Sequence, residues 1–213
     1  MGDTIRCQRM GGVGAMREML AIGPFVILIG ATIPYMIDIV RGKARPSRSA
    51  RIMLLFLIAV TLLQQKGLGT GGALSLTIAE TVISIMLVGL ALKYGVGGLS
   101  KSDKICYVLL AVDVAVWLAT KNDLLALHLS IIADCVAFWP TLQKTWHDPK
   151  SETPLFFWSG VVSPLFAIGA EAHLSYQTLI FPIYILIANG IEVALIYGLH
   201  RQLIPSLPRR SAG

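Results

Sequence analysis

The sequence is short of charge. Asp, Glu, Lys and Arg make up 14% of 213 residues, where a soluble domain carries about a quarter, and 55% of the chain is hydrophobic. With a mean hydropathy of +0.70, this excludes an ordinary soluble domain and indicates an integral membrane protein. The three cysteines, Cys7, Cys106 and Cys135, show no metal or redox spacing and read as small apolar fillers. No Ser-His-Asp order, metal-ligand spacing or phosphate-binding glycine loop is visible, so the sequence points to no enzyme, no cofactor and no metal. Residues 178–199 contain no lysine, which excludes a seven-span retinal protein with its Schiff base in the last helix.

What the chain does contain is long apolar runs. Windows of about 17 to 25 apolar residues predict spans over 20–40, 52–65, 74–94, 105–119, 124–143, 155–170 and 178–199. The second and fourth are short, since about 14 residues at about 1.5 Å each reach about 21 Å of a core about 30 Å thick. Both are expected to extend through polar ends, with Gln64 and Gln65 prolonging the second, Arg51 snorkelling at its start, and Asp113 interrupting the fourth without ending it.

Thirteen of the 18 Lys and Arg fall on one side of these spans: Arg41, Lys43, Arg45, Arg48, Arg51, Lys93, Lys101, Lys104, Lys144, Lys150, Arg201, Arg209 and Arg210. Basic residues stay on the cytoplasmic side of short loops, so the expected topology has the N-terminus outside and the C-terminus in the cytoplasm, in a bacterial plasma membrane. The same bias accounts for the net charge of +6, and no nucleic-acid partner is expected. Residues 1–19 read as an unstructured extramembrane tail without a cleavable signal pattern, and Met10, Met16 and Met19 offer alternative starts.

An internal repeat organises the spans. The first copy reads Ile33-Pro34-Tyr35-Met36-Ile37-Asp38 and the second Trp139-Pro140-Thr141-Leu142-Gln143-Lys144, with the prolines 106 residues apart. Each proline lies one to two turns before a charged loop that itself contains proline. Downstream, Leu92-Lys93-Tyr94-Gly95 and Leu195-Ile196-Tyr197-Gly198 end the third and seventh spans, 103 residues apart. A unit with an odd number of spans needs one further span to repeat in the same orientation. The expected fold is therefore all-α: seven transmembrane helices as two parallel three-helix bundles, 20–95 and 123–200, joined by a linker helix in 96–122, with a cytoplasmic tail over 201–213.

This pattern resembles the PQ-loop and SWEET superfamily of seven-span proteins over about residues 20 to 200. The resemblance implies that Pro34, Pro140 and Pro164 are hinges for alternating access and that a solute sits between the two bundles. The linker span is implied to stand at the periphery of the first bundle. The Pro-Gln dipeptide itself is absent, Tyr35 and Thr141 following the prolines, and the second span has no proline.

Ionisable groups inside spans are costly and default to functional hypotheses. Five stand out: Glu80, Asp113, His128, Asp134 and Glu192, and no Lys or Arg lies mid-span to pair with the acids. Counting about 1.5 Å per residue, Asp134 lies about 15 Å and Asn189 about 16 Å from the outer surface, near the midplane. They are the candidates for a central site, Asn189 more so because the resemblance implies a substrate-facing asparagine in the seventh span. Thr77, Glu80 and Ser84 form a polar stripe on the third span. The substrate-binding set is Asn189, Asp134, Glu80, Trp158 and Trp139, the two tryptophans being able to stack on a sugar ring or simply to pack. The proton-coupling set is Asp134, Asp113, Glu80 and Glu192. Asp113 is expected to bond to Glu80 or to His128, and His128 to be an interfacial or capped histidine. Glu192, three residues past Asn189, extends the polar track inward.

The expected function is thus a membrane transporter of a small polar solute, sugar or amino acid, by alternating access with proton coupling as an option. The alternative is a non-transporting receptor, scaffold or subunit of a membrane complex. The expected partners are the solute and the bilayer, and the sequence neither requires nor excludes a homo-oligomer.

Overall fold

The computed structural model describes residues 2–42, 46–99, 101–149 and 152–198, with side chains from residue 14 onward. The expected tail over 201–213, the end of the predicted seventh span, Lys43, Arg45, Lys150 and the side chain of Cys7 lie outside what it describes. Seven helices form among the described residues: α1 Gly2–Val40, α2 Arg48–Gly67, α3 Gly72–Tyr94, α4 Lys101–Thr120, α5 Asp123–His147, α6 Pro154–Ala170 and α7 Tyr176–Ile196. Five of them, α1 from Gly14, α2, α3, α5 and α7, are long and apolar enough to cross a membrane. The apolar α6 is shorter at 17 residues, and α4 carries Lys101, Asp103, Lys104 and Asp113.

Local chemistry sets the ends. Ser47 caps α2 through Ala50 N, Asn122 caps α5 through Leu125 N, and Ser175 and Thr178 form a reciprocal capping box on α7. Lys121, in the left-handed region at φ 53°, ends α4 and turns the chain directly into α5. The polar ends expected of α2 are confirmed as helix, since Gln64 and Gln65 both lie inside it and are buried. The N-terminal expectation is corrected: α1 begins at Gly2, not after an unstructured tail. No proline interrupts it before Pro24, and Arg17 Nη2 donates to Ala172 O at 3.3 Å, fixing the extension to the α6–α7 loop.

The surface is apolar and the interior holds the polar groups. Ile22, Val26, Ile33, Ile37 and Val40 form an exposed stripe along α1, as Ile183, Ile187 and Ile191 do along α7. Thr32, Thr61, Thr77, Gln64, Asp113, Ser130, Thr145 and Glu192 are buried. Such an inverted surface is stable in lipid, not in water, and this marks an all-α membrane protein. The buried threonines 32, 61 and 77 satisfy their hydroxyls on the carbonyls of Leu28, Leu57 and Ala73, four residues earlier on the same helix.

Because lipid tails are as apolar as leucine, the helices associate by close packing. α3 packs between α1 and α2, and α7 between α5 and α6. Across these triplets α1 packs on α6, α2 on α5, and α3 on both α6 and α7. Gly72 is the tightest approach: a Cβ there would meet the carbonyl of Ala167 on α6. The linker expectation needs correction, since α4 packs chiefly on α5 and only secondarily on α2. Its short connection to α5 and its polar contacts, including Cys106 Sγ to Ala133 O at 3.9 Å, hold it there.

The α1–α2, α3–α4 and α5–α6 connections collect at one end of the molecule, the basic end. Arg48 N donates to Val96 O at 2.9 Å and Val96 N to Pro46 O at 3.0 Å, stitching two of these loops together. At the opposite end, Glu171 reaches α3: Ala73 N donates to its Oε1 at 2.7 Å and Gly71 N to its Oε2 at 3.1 Å.

Candidate solute chamber

A chamber of about 200 Å³ lies where α1, α2, α3, α5, α6 and α7 meet; no residue of α4 lines it. Helical spacing builds its walls. On α2, Arg51, Leu54, Ile58 and Thr61 recur every three to four residues and face one way. Glu80, Ser84 and Leu87 do the same on α3, Ser130 and Asp134 on α5, and Phe181, Ile185 and Asn189 on α7. Toward the basic end lies a second, larger cavity of about 760 Å³, walled by loop residues 96–99 and by Tyr35, Thr141 and Thr153 among others. Arg51, Leu54, Asp134 and Phe156 line both, so they form the neck between vestibule and chamber.

Asp134, Glu80 and Asn189, chosen from depth and helix face, come together in this chamber. Asp134 Oδ2 accepts a hydrogen bond from Tyr184 Oη at 2.7 Å. Glu80 Oε2 is buried without a hydrogen-bond partner, and its carboxyl is close enough to Asp134 for the two charges to interact. Asn189 Nδ2 donates to Ile185 O at 2.9 Å. The amide fits only because residue 160 on α6 is glycine: a Cβ there would overlap it.

Other expected residues lie elsewhere. Trp139 and Trp158 are 57% and 44% exposed on the outer surface and line neither cavity; being on the lipid-facing sides of their helices, they cannot stack on a solute in the chamber. Asp113 bonds to neither Glu80 nor His128. Its carboxyl accepts from Ser130 Oγ at 2.5 Å and from Gln64 Nε2 at 3.2 and 3.3 Å, and Gln64 Oε1, 3.0 Å from Ser130 Oγ, is a second acceptor for the same single hydroxyl proton. This sealed triad ties α4 to α2 and α5, and Ser130 is its one member that reaches the chamber. Glu192 is buried against the Thr145 hydroxyl and does not line the chamber. His128 is capped as expected, its ring nitrogens 2.6 Å from Leu124 O and from Tyr176 Oη. Of the Thr77, Glu80 and Ser84 stripe, Thr77 is turned into packing.

The three prolines sit within unbroken helices. Pro34 is exposed, Pro140 borders the vestibule, and Pro164 is buried in α6.

Arg51 is the cavity-lining position that the sequence hid. Its Nη2 donates to Tyr35 Oη at 2.9 Å, and the guanidinium lies 5.4 Å from that ring's centroid. It forms no ion pair among the described residues. A residue near a predicted helix start reads as a snorkelling arginine, and only the packing of α2 against α3 and α5 shows that it turns inward. No cluster of three His, Cys, Asp or Glu side chains that could hold a metal occurs among the described residues.

The chamber therefore offers two carboxyls, one amide, several hydroxyls and one guanidinium between largely apolar walls. Neither a family model, nor a curated protein, nor a solved structure matches the chain.

Proposed function

We propose that this chain is a membrane transporter for a small polar solute, working by alternating access. The observation that carries the reading is the chamber itself: polar residues from four helices, α2, α3, α5 and α7, line one cavity that shares Arg51, Leu54, Asp134 and Phe156 with a vestibule at the basic end. At the other end the path is closed by packing, with Gly72 against Ala167, buried Leu76 and Leu127, and the Glu171 contacts to α3.

In this reading α4 joins two parallel three-helix bundles, α1–α3 and α5–α7, in a 3+1+3 arrangement of seven spans. The packing supports it: exchanging α1, α2 and α3 for α5, α6 and α7 turns the α1–α6 contact into the α5–α2 contact, and both are present. The arrangement is that expected from the resemblance to PQ-loop and SWEET proteins. On this reading the vestibule lies on the cytoplasmic side of a bacterial plasma membrane; the bias of Lys and Arg supports the side, and the conformation is then inward-facing. Rocking one bundle against the other, with flexure at Pro34, Pro140 and Pro164, closes the neck and opens the Glu171 end. Glu80 and Asp134, the two chamber acids, are the residues through which proton movement couples to flux.

The test is flux into proteoliposomes for a panel of sugars and amino acids, with and without a pH gradient. Saturable uptake of at least one solute, reduced or uncoupled from the gradient by Asp134→Asn, is expected. Absence of uptake for every solute would sink the reading.

A further inference from the structure

The chamber's charges say more than that its solute is polar. Arg51 stands at the neck and carries a full positive charge whose one hydrogen-bond partner is the neutral Tyr35 hydroxyl. Two carboxyls, Glu80 and Asp134, stand further in, and one Glu80 oxygen is buried and unpartnered. One cation and two acids are thus held apart along a single cavity of about 200 Å³. A neutral sugar hydrogen-bonds to the guanidinium and to the Glu80 oxygen but brings an opposite charge to neither. A molecule with a carboxylate at one end and an ammonium beside it satisfies both. The remaining walls are mostly apolar, Leu54, Leu57, Ile58, Ile83, Leu87 and Ile185 among them, interrupted by the hydroxyls of Thr61, Ser84 and Ser130 and the Asn189 amide, so the rest of such a molecule is mainly hydrocarbon.

We infer that the solute is a zwitterionic α-amino acid with a small apolar side chain, its carboxylate on Arg51 and its ammonium on Glu80 and Asp134. The inference rests on the transporter reading and narrows it. Guanidinium and carboxylate pair bidentately, whereas the chamber acids and the Asn189 amide oxygen accept from ammonium. Arg51, at the mouth, meets the solute first and also turns away free cations.

The test uses the full-length protein in proteoliposomes with radiolabelled leucine as the probe. Unlabelled competitors are isopentylamine, which lacks the carboxylate, 4-methylpentanoate, which lacks the amine, and glucose. Leucine is expected to be carried and neither half-molecule nor glucose to compete at equal concentration. Arg51→Gln should raise the half-saturating leucine concentration about tenfold or more, the loss of one charge-assisted contact, and Arg51→Lys by less. The binding of isopentylamine to purified protein should not weaken in Arg51→Gln, which separates loss of the carboxylate contact from misfolding. Flux of glucose without flux of leucine would overturn this inference and leave the transporter reading standing. An unchanged leucine affinity in Arg51→Gln would do the same, while no flux of any solute would remove both.

Discussion

The Glu171 carboxylate accepts the Ala73 N–H at 2.7 Å and so holds the α6–α7 loop to the first turn of α3. With the second contact from Gly71 N at 3.1 Å, the acid caps a helix whose own N-cap, Gly71, has no side chain to do it. The carboxylate also meets the positive end of the helix dipole. In the alternating-access reading this cap must break whenever the far end opens.

Replacing Glu171 with alanine removes both acceptors at a site that is 6% exposed. Loss of a helix cap costs about 0.5–2 kcal/mol. We expect Glu171→Ala to lower the unfolding midpoint in detergent accordingly, and Glu171→Gln, which keeps one carbonyl oxygen, to fall between it and the parent. An unchanged midpoint for Glu171→Ala would show that the cap contributes nothing.

The Asn189 amide occupies the space that a side chain on residue 160 would take. Gly160→Ala forces the amide off its bond to Ile185 O and into the chamber, so solute flux should fall about tenfold or more. Gly89→Ala is the control, because nothing lies within 4 Å of its added methyl; it should fold and transport as the parent does. Trp139→Leu and Trp158→Leu should likewise leave flux intact, since both rings face outward. Equal losses in Gly160→Ala and Gly89→Ala would remove the argument for a packed amide.

How far the sequence reached depends on what each residue needed to be placed. Apolar run lengths located the helices because lipid demands them, depth along each helix brought Asp134 and Asn189 to one level, and Glu80 was reached through its polar stripe on the third span. Depth alone carries no rotation, however. That is why Trp139 and Trp158 look equal to Asn189 in the sequence yet face lipid. Asp113 found Gln64 and Ser130 instead of Glu80 because the choice turns on α4 lying against α5, a tertiary fact. Glu171 was invisible for another reason: it follows the last turn of α6, in a loop where a carboxylate is unremarkable.

The Asp113 triad is sealed, and its energetics can be measured by a double-mutant cycle. Asp113→Ala leaves Gln64 Nε2 without its acceptor and Ser130 Oγ with Gln64 Oε1 alone, whereas Ser130→Ala removes one donor. Contacting polar pairs in membranes couple by about 0.6 kcal/mol on average and about 1.7 at most. With a separation of 2.5 Å and full burial, this pair should lie at the upper end, near about 1.5 kcal/mol, in unfolding by SDS titration. Additive effects of the two substitutions would mean that the triad does not act as a unit.

Access to the chamber from one end alone makes a last, directional prediction. In a chain with Cys7, Cys106 and Cys135 replaced by serine, Ser84→Cys places a thiol on the chamber wall and Thr77→Cys places one two turns away in packing. A small, membrane-impermeant thiosulfonate can reach Ser84→Cys only through the neck between Arg51 and Phe156. Labelling should therefore be fast in inside-out vesicles and slow in right-side-out ones, with Thr77→Cys unlabelled in both. Leucine should protect Ser84→Cys if it occupies the same enclosure. Labelling from the outer face alone would reverse the assigned orientation, and equal labelling from both faces would show a pore in place of an alternating chamber.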